Sequence, residues 1–146
     1  MQATHSEAYR GERGVVRSTT PARRAYQLLH LGFIVLPVIA GLDKFTMFLA
    51  DWPKYLSPAF QSIVPLDAAV FMYGVGIIEI LAGLLVAVRP RIGAYVVGGW
   101  LVAIVINLVL HPAGYLDIAL RDVGLAMAAF ALASLSPRSQ LPQVES

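Results

Sequence analysis

The stretch LDAAVFMYGVGIIEILAGLLVAV, from Leu66 to Val88, decides the fold, because beyond Asp67 it is almost entirely apolar and carries a carboxyl group, that of Glu79, near its middle. About 20 apolar residues in an α-helix cross the ~30 Å hydrocarbon core of a bilayer. Three other stretches have similar length and composition. The sequence therefore predicts an all-α, polytopic membrane protein with a bundle of four transmembrane helices, at about 25–50, 66–88, 92–110 and 116–135.

The composition agrees with a membrane protein. Hydrophobic residues make up 58% of the 146 residues and charged residues 14%, against roughly 25% charged residues in a soluble domain. Cysteine is absent, which excludes disulfides, thiolate nucleophiles and thiol redox chemistry. The quinone-linked enzymes that form disulfides are excluded with them.

Basic residues are distributed unevenly between the two ends of the predicted bundle. They precede the first span, fill the turn between the second and third spans, and follow the fourth, as Arg10, Arg13, Arg17, Arg23, Arg24, Arg89, Arg91 and Arg138. Cytoplasmic loops carry the excess of Lys and Arg in membrane proteins. We therefore expect an integral inner-membrane protein of a bacterium, with both termini cytoplasmic and the 51–65 and 111–115 connections facing outward.

Three regions follow from this pattern. Residues 1–24 are polar and Arg-rich, and they read as a flexible cytoplasmic arm with affinity for anionic lipid rather than for nucleic acid. Residues 25–137 form the four-helix membrane domain. Residues 138–146 form a cytoplasmic tail.

The connection at 51–65 is unusually apolar for a loop, since aromatic and aliphatic residues alternate there with Pro53, Pro58 and Pro65. Ser57 followed by Pro58 is typical of a helix start, with Ser as the cap and Pro at the first helical position. This predicts a short helix lying in the membrane interface between the first and second spans. Simple anchoring at the interface explains Trp52 and Tyr55 equally well.

Five ionisable residues lie within or against the apolar stretches: Asp43, Lys44, Glu79, Arg121 and Asp122. An Asp, Lys or Arg at the centre of a membrane helix costs roughly 2.5 to 3.5 kcal/mol. Such residues need partners or a function. With Asn107 they form a predicted intramembrane polar cluster in one half of the bundle.

The helical rise suggests how these charges pair. Lys44 and Glu79 are separated by about 10–15 Å along the bundle axis, so a direct bond between them would need a tilted or shortened first helix and is not assumed. Neighbouring residues of a helix point about 100° apart, so Arg121 and Asp122 are predicted to contact different helices. The preferred pairing joins Arg121 to Glu79 or Asp43, and Asp122 to Lys44.

Three carboxyl groups face two cations in this cluster, so one carboxyl lacks a cationic partner. Burial in an apolar environment disfavours the charged form. Glu79 lies deepest and is predicted to hold a proton. The functional interpretation is a proton relay or a ligand-binding carboxyl, and the alternative is a polar cluster that only fixes how four helices assemble.

A second candidate site is a ligand pocket at the outer end of the bundle, lined by Trp52, Tyr55, Trp100, Asn107 and His111. Apolar walls with a few polar anchors are typical of sites for small molecules, and a quinone is the candidate ligand. Haem is not expected, because His30 and His111 are on the order of 20 Å apart along the helices. No metal cluster and no catalytic group has suitable spacing.

Several motifs resemble those of DoxX-like four-helix membrane proteins. They are Gly41-Leu42-Asp43-Lys44-Phe45, Trp52-Pro53-Lys54-Tyr55-Leu56-Ser57-Pro58, Gly76-Ile77-Ile78-Glu79-Ile80-Leu81-Ala82-Gly83, Asn107, and Asp117-Ile118-Ala119-Leu120-Arg121-Asp122. The resemblance covers about residues 25–137. It implies a four-helix fold in a family that includes subunits of thiosulfate:quinone oxidoreduction and partners of membrane redox and detoxification complexes.

The resemblance favours a non-catalytic accessory or assembly subunit of a membrane redox or stress-response system, working with a protein partner. A quinone or small-hydrophobe binding subunit of an oxidoreductase is the alternative, and a small proton-coupled transporter using Glu79 is a third. Small residues on the second and fourth helices permit a homo-oligomer but would equally serve packing within the bundle.

Overall fold

Helices account for most of the computed structural model, which describes residues 21–136 and contains no strand in that range. The long helices are α1 (Pro21–Thr46), α3 (Ala68–Val88), α4 (Pro90–Val109) and α5 (Leu116–Leu135), with α2 (Pro58–Ile63) between α1 and α3. All four long helices are long and apolar enough to cross a membrane. The predicted all-α four-helix bundle is therefore confirmed.

The bounds of the first span differ from the prediction at both ends. Residues 21–24, which we assigned to the polar arm, are already helical, and α1 ends at Thr46 rather than near residue 50. The helix stops because Met47 adopts a positive φ of 54° and because the Asp43 carboxylate accepts hydrogen bonds from the next amides, those of Phe48 and Leu49. The rest of the predicted arm, residues 1–20, and the tail at 138–146 lie outside the described residues.

The short helix between the first two spans is present where the sequence places it. Ser57 caps α2 and accepts a hydrogen bond from the Phe60 amide at 3.4 Å, and Pro58 occupies the first turn. A 3₁₀ helix at Trp52–Tyr55 precedes it and was not predicted. Residues 47–67, called the connection below, thus fold back over one end of the bundle, called the connection end. The opposite end, at Arg89, is called the turn end.

The four long helices are arranged as antiparallel neighbours. α1 packs along α3 and α4 along α5, α3 and α4 are joined through the tight turn at Arg89, and α1 touches α5 only sparsely. A core of side chains extends from the middle of the bundle to the turn end, made of Phe33, Ala82, Val86, Ala94, Val97, Ala129, Leu132 and Ala133. A smaller cluster of Leu56, Met72 and Val75 lies below the connection.

Glycine permits the close approach of α1 and α3. A Cβ atom at Gly41 would lie 2.5 Å from the carbonyl oxygen of Gly76, and one at Gly76 would lie 2.6 Å from the carbonyl oxygen of Gly41. The two backbones therefore touch, as expected where small residues line a membrane helix interface. Gly83 makes a second such contact against Ile34 and Val38.

Large apolar side chains cover the outside of the bundle, including Leu28, Leu31, Leu81, Leu120 and Met127. Such a surface is expected for helices that contact lipid rather than water. The small residues Gly76 and Gly83 of α3, and Ala126, Ala129 and Ala133 of α5, are instead buried within the bundle. These small residues therefore pack the helices of one chain against each other.

Replacement of Gly41 by Ala is expected to destabilise the protein by about 1–3 kcal/mol, since the added methyl group collides with backbone rather than with a flexible side chain. Gly74→Ala in α3 is the matched control, because no atom lies within 4 Å of the added methyl group there. Thermal unfolding in detergent measures both. Equal stability of the two variants would contradict the close α1–α3 contact.

Candidate functional site

Lys44 and Glu79 form a direct ion pair, with 2.6 Å between Lys44 Nζ and Glu79 Oε2. Both residues are buried, with 4% and 10% of their side chains exposed. The sequence analysis did not assume this bond, and the preferred pairing of Glu79 with Arg121 was wrong. Because Gly41 faces Gly76, the two residues lie six positions apart in the antiparallel pair, or about 9 Å along the axis.

The direction of the side chains closes this gap. Every Cα–Cβ bond of an α-helix tilts toward the N-terminus of its own helix. Lys44 therefore leans toward the turn end and Glu79 toward the connection end, so the two side chains lean toward each other. The separation of Lys44 and Glu79 predicted from the sequence was a distance between Cα positions and did not include this tilt.

Asp43 has a different environment from the one predicted for it. Its carboxylate accepts hydrogen bonds from the indole Nε1 of Trp52 at 2.7 Å, from the amides of Phe48 and Leu49 at 3.0 Å, and from the Thr46 hydroxyl at 2.9 Å. The expected pairing with Arg121 does not occur. Asp43 instead ties the start of the connection to the end of α1.

Arg121 and Asp122 pair with each other, at 3.2 Å between Arg121 Nε and Asp122 Oδ1. The predicted contacts of these residues with different helices, Arg121 to Glu79 or Asp43 and Asp122 to Lys44, were therefore wrong. The long Arg side chain bends round its own helix to reach the carboxylate. Asp122 is buried, whereas 66% of the Arg121 side chain is exposed.

The carboxyl group without a cationic partner is thus Asp43 and not Glu79. Lys44 pairs with Glu79 and Arg121 with Asp122, while neutral N–H and O–H donors hold Asp43. A proton on Glu79 was predicted because that residue was thought to lack a cation. The ion pair with Lys44 removes this reason.

Asn107 stands apart from the charged residues and holds the connection to α4. Its Oδ1 accepts a hydrogen bond from the Ser57 amide at 2.9 Å, and its Nδ2 donates to the Tyr55 carbonyl oxygen at 2.7 Å. Both the oxygen and the nitrogen of the Asn107 side chain therefore form hydrogen bonds with the backbone of the connection. This explains the choice of Asn, which offers a donor and an acceptor on one short side chain.

Trp52, in the connection, contacts two residues of the polar cluster. Lys44 Nζ lies 3.8 Å from the centroid of the Trp52 ring, a distance at which the ring face attracts the ammonium group. The same indole donates to Asp43. Trp52 therefore binds two adjacent residues of opposite charge and fixes the connection over the Lys44–Glu79 pair.

A cavity of about 610 Å³ lies below the connection, between all four long helices. Trp52, Tyr55, Trp100 and Asn107 line it, as predicted for the ligand pocket. His111 does not line it: its Nδ1 accepts from the Ala113 amide at 3.1 Å and its ring packs on Tyr115. The remaining polar lining consists of Lys44, Glu79, Arg121 and Asp122.

Most of the cavity wall was not predicted. It consists of apolar side chains from every element, among them Phe33, Leu36, Phe60, Phe71, Met72, Val97, Leu101 and Leu125. Met72 is the exception, since it precedes Glu79 by seven residues, or about two helical turns, and so lies on the same face of α3. For the other residues, no local pattern distinguishes an apolar side chain that faces a cavity from one that faces lipid.

Trp100 places its indole beside Glu79. Its Nε1 is buried and has no hydrogen-bond partner among residues 21–136. Trp100 and Glu79 both line the cavity.

Metal-binding groups are absent from the part of the chain that the structure describes, which contains no cluster of three or more His, Cys, Asp or Glu residues. His30, which sequence analysis considered for haem, has its Nε2 at 3.0 Å from the Val86 carbonyl oxygen at the turn end. That contact joins α1 to α3.

Comparison with known proteins gives no match to a family model, to a curated protein or to a solved structure. The site is therefore interpreted from its own geometry.

Replacement of Lys44 by Met is expected to cost about 3–5 kcal/mol, because it leaves the Glu79 carboxylate buried and unpaired. Adding Glu79→Gln should restore part of this loss, so the double variant is more stable than the sum of the two single changes predicts. Thermal unfolding in detergent measures the cycle.

Lys54→Met is the control for loss of a lysine, since Lys54 is exposed and contacts only the ring of Tyr55 in the described structure. Its effect should be far smaller. Strict additivity of Lys44→Met and Glu79→Gln would show that the ion pair contributes no coupling.

Proposed function

We propose that this protein binds a small, mostly apolar molecule taken from the bilayer, with a quinone as one candidate, in the cavity below the connection. The observation that carries the proposal is the size and lining of that cavity. Its volume of about 610 Å³ falls within the ~300–1,000 Å³ typical of ligand sites. Apolar walls with a few convergent polar groups are the other mark of such sites.

The arrangement of the polar side chains supports a binding role. Lys44, Glu79 and Asp122 are buried and paired, Asn107 is engaged by backbone, and the connection is held by Asp43 and Asn107 together. The polar residues therefore hold the cavity walls in place. The ligand would meet a preformed site.

Access from the lipid is supported by the sparse contact between α1 and α5. Leu36 on α1 and Arg121 on α5 both line the cavity and are both exposed on the outside of the bundle. A residue that faces the cavity and the outside at once marks an opening. We infer that apolar molecules enter sideways through this gap.

The uneven distribution of Lys and Arg supports an orientation with both termini cytoplasmic and the connection on the outer side of a bacterial inner membrane. Exposed apolar side chains on the connection, Phe48, Leu49 and Ile63, fit a segment lying in the interface. This orientation places the cavity in the outer leaflet.

The motifs that resemble DoxX-like proteins support a role as an accessory subunit that presents its ligand to a membrane redox or stress-response partner. The described structure offers no observation for a proton-coupled transporter, because Glu79 is held in an ion pair. Crosslinking in native membranes tests whether the protein has such a partner. Recovery of this chain alone would count against the accessory role and leave ligand binding untouched.

Decylubiquinone is expected to raise the unfolding temperature of the purified protein by several degrees, since a ligand at 100 times its Kd stabilises by about 2.7 kcal/mol. Ala40→Phe should abolish the shift, because Ala40 lines the cavity. Ala131→Phe, which adds the same bulk to an exposed position outside the cavity, should retain it. Equal shifts in both variants would exclude the cavity as the site.

A further inference from the structure

We propose that the occupant of the cavity is the acyl chain of an amphiphile with an oxyanion head, a phosphate or a carboxylate, and that Arg121 binds this head at the opening between α1 and α5. This inference rests on the proposed function and specifies its ligand class. It is carried by the dimensions of the cavity, by the polarity along its length and by the unused donors of Arg121.

The cavity has the length of one leaflet. Its wall extends over Phe33–Lys44 on α1, Phe71–Ala82 on α3 and Val97–Leu108 on α4. Each range spans eleven helical steps, or about 16 Å. The hydrocarbon core of a bilayer is ~30 Å thick, so the cavity is as long as the tail region of a single leaflet and runs in the same direction.

The polarity of the wall changes along this length as it does along a lipid. Asn107, Lys44 and Arg121 lie toward the connection end, whereas Phe33, Ala82 and Val97 close the cavity near the middle of the bundle. Glu79, the deepest charged residue, is neutralised by Lys44. A chain with its head at the connection end and its tail toward the midplane matches this gradient.

Arg121 provides the site for the head. Only its Nε is used within the described structure, by Asp122, which leaves both terminal nitrogens of an exposed guanidinium without a partner there. Arg121 lies five residues into α5 and leans toward the connection end. A guanidinium group presents paired N–H donors that match the two oxygens of a carboxylate or phosphate.

The pairing with Asp122 fixes where the head binds. Asp122 accepts a hydrogen bond from the Nε of the guanidinium and leaves its two terminal nitrogens available to the head. Arg121 both lines the cavity and is largely exposed. The head would therefore remain at the polar edge of the bilayer while the tail enters the cavity.

Brominated acyl chains test this inference by quenching tryptophan fluorescence, because both tryptophans of the chain, Trp52 and Trp100, line the cavity. Brominated hexadecanoate and a brominated lysophospholipid carry an oxyanion, and brominated hexadecanol carries the same chain without one. After correction for partition into detergent, we expect the two oxyanion probes to bind about tenfold more tightly than the alcohol, as loss of a charge-assisted hydrogen bond implies.

Arg121→Gln should reduce this preference to about onefold, while Arg91→Gln, at the turn end, should leave it at about tenfold. Ala40→Phe should abolish quenching by all three probes. Tighter binding of hexadecanoate than of the lysophospholipid identifies a free fatty acid as the source of the head, and the reverse order identifies a phospholipid. Either order supports the inference.

Equal affinities for the alcohol and the oxyanion probes in the wild type, or a preference that survives Arg121→Gln, would overturn the assignment of Arg121. Ligand binding in the cavity would then still be supported by the rise in unfolding temperature with decylubiquinone. If neither decylubiquinone nor any brominated probe binds, the proposed function itself fails, and the two failures are therefore distinguishable.

Discussion

The ion pair between Lys44 and Glu79 is the constraint on which the rest of the structure depends. Two charges buried inside a membrane domain are stable only in contact with each other. Their contact fixes the register of α1 against α3 at the same level as the backbone contact between Gly41 and Gly76. A shift of one helical residue would separate the charges and bring a Cβ atom against backbone.

That register also decides where the connection begins. Asp43, the neighbour of Lys44, accepts hydrogen bonds from the backbone amides that follow the helix and from the indole of Trp52. The ring of Trp52 also lies over the Lys44 ammonium group. Asn107 holds the other half of the connection. Polar residues thus hold the connection over the end of the bundle, and the wall of the cavity beneath it is mostly apolar.

The architecture could be predicted from the sequence because it depends on local properties. Four apolar stretches of sufficient length, the Ser57-Pro58 helix start and the glycines of α3 each carry their signal within a few residues. The charged residues of the polar cluster could also be identified, since a charge in an apolar helix is conspicuous, whereas Asn107 holds the connection instead. Four of the five residues predicted for the ligand pocket, Trp52, Tyr55, Trp100 and Asn107, line one cavity, and His111 does not.

The pairing within the cluster could not be predicted in the same way. It depends on the tilt of side chains between antiparallel helices, which joined Lys44 to Glu79, and on local backbone amides, which satisfied Asp43 without a cation. Arg121 forms an ion pair with the adjacent Asp122, because a long side chain can reach beyond the direction set by its Cβ atom. The cavity itself arises from packing between helices, and no single helix encodes it.

Native mass spectrometry of the protein released from lipid nanodiscs tests the central claim most directly. We expect one bound apolar molecule or lipid to remain on the wild type and on Ala131→Phe, and to be missing from Ala40→Phe. An unliganded mass for all three proteins, or the same adduct on all three, would contradict an occupied cavity beneath the connection.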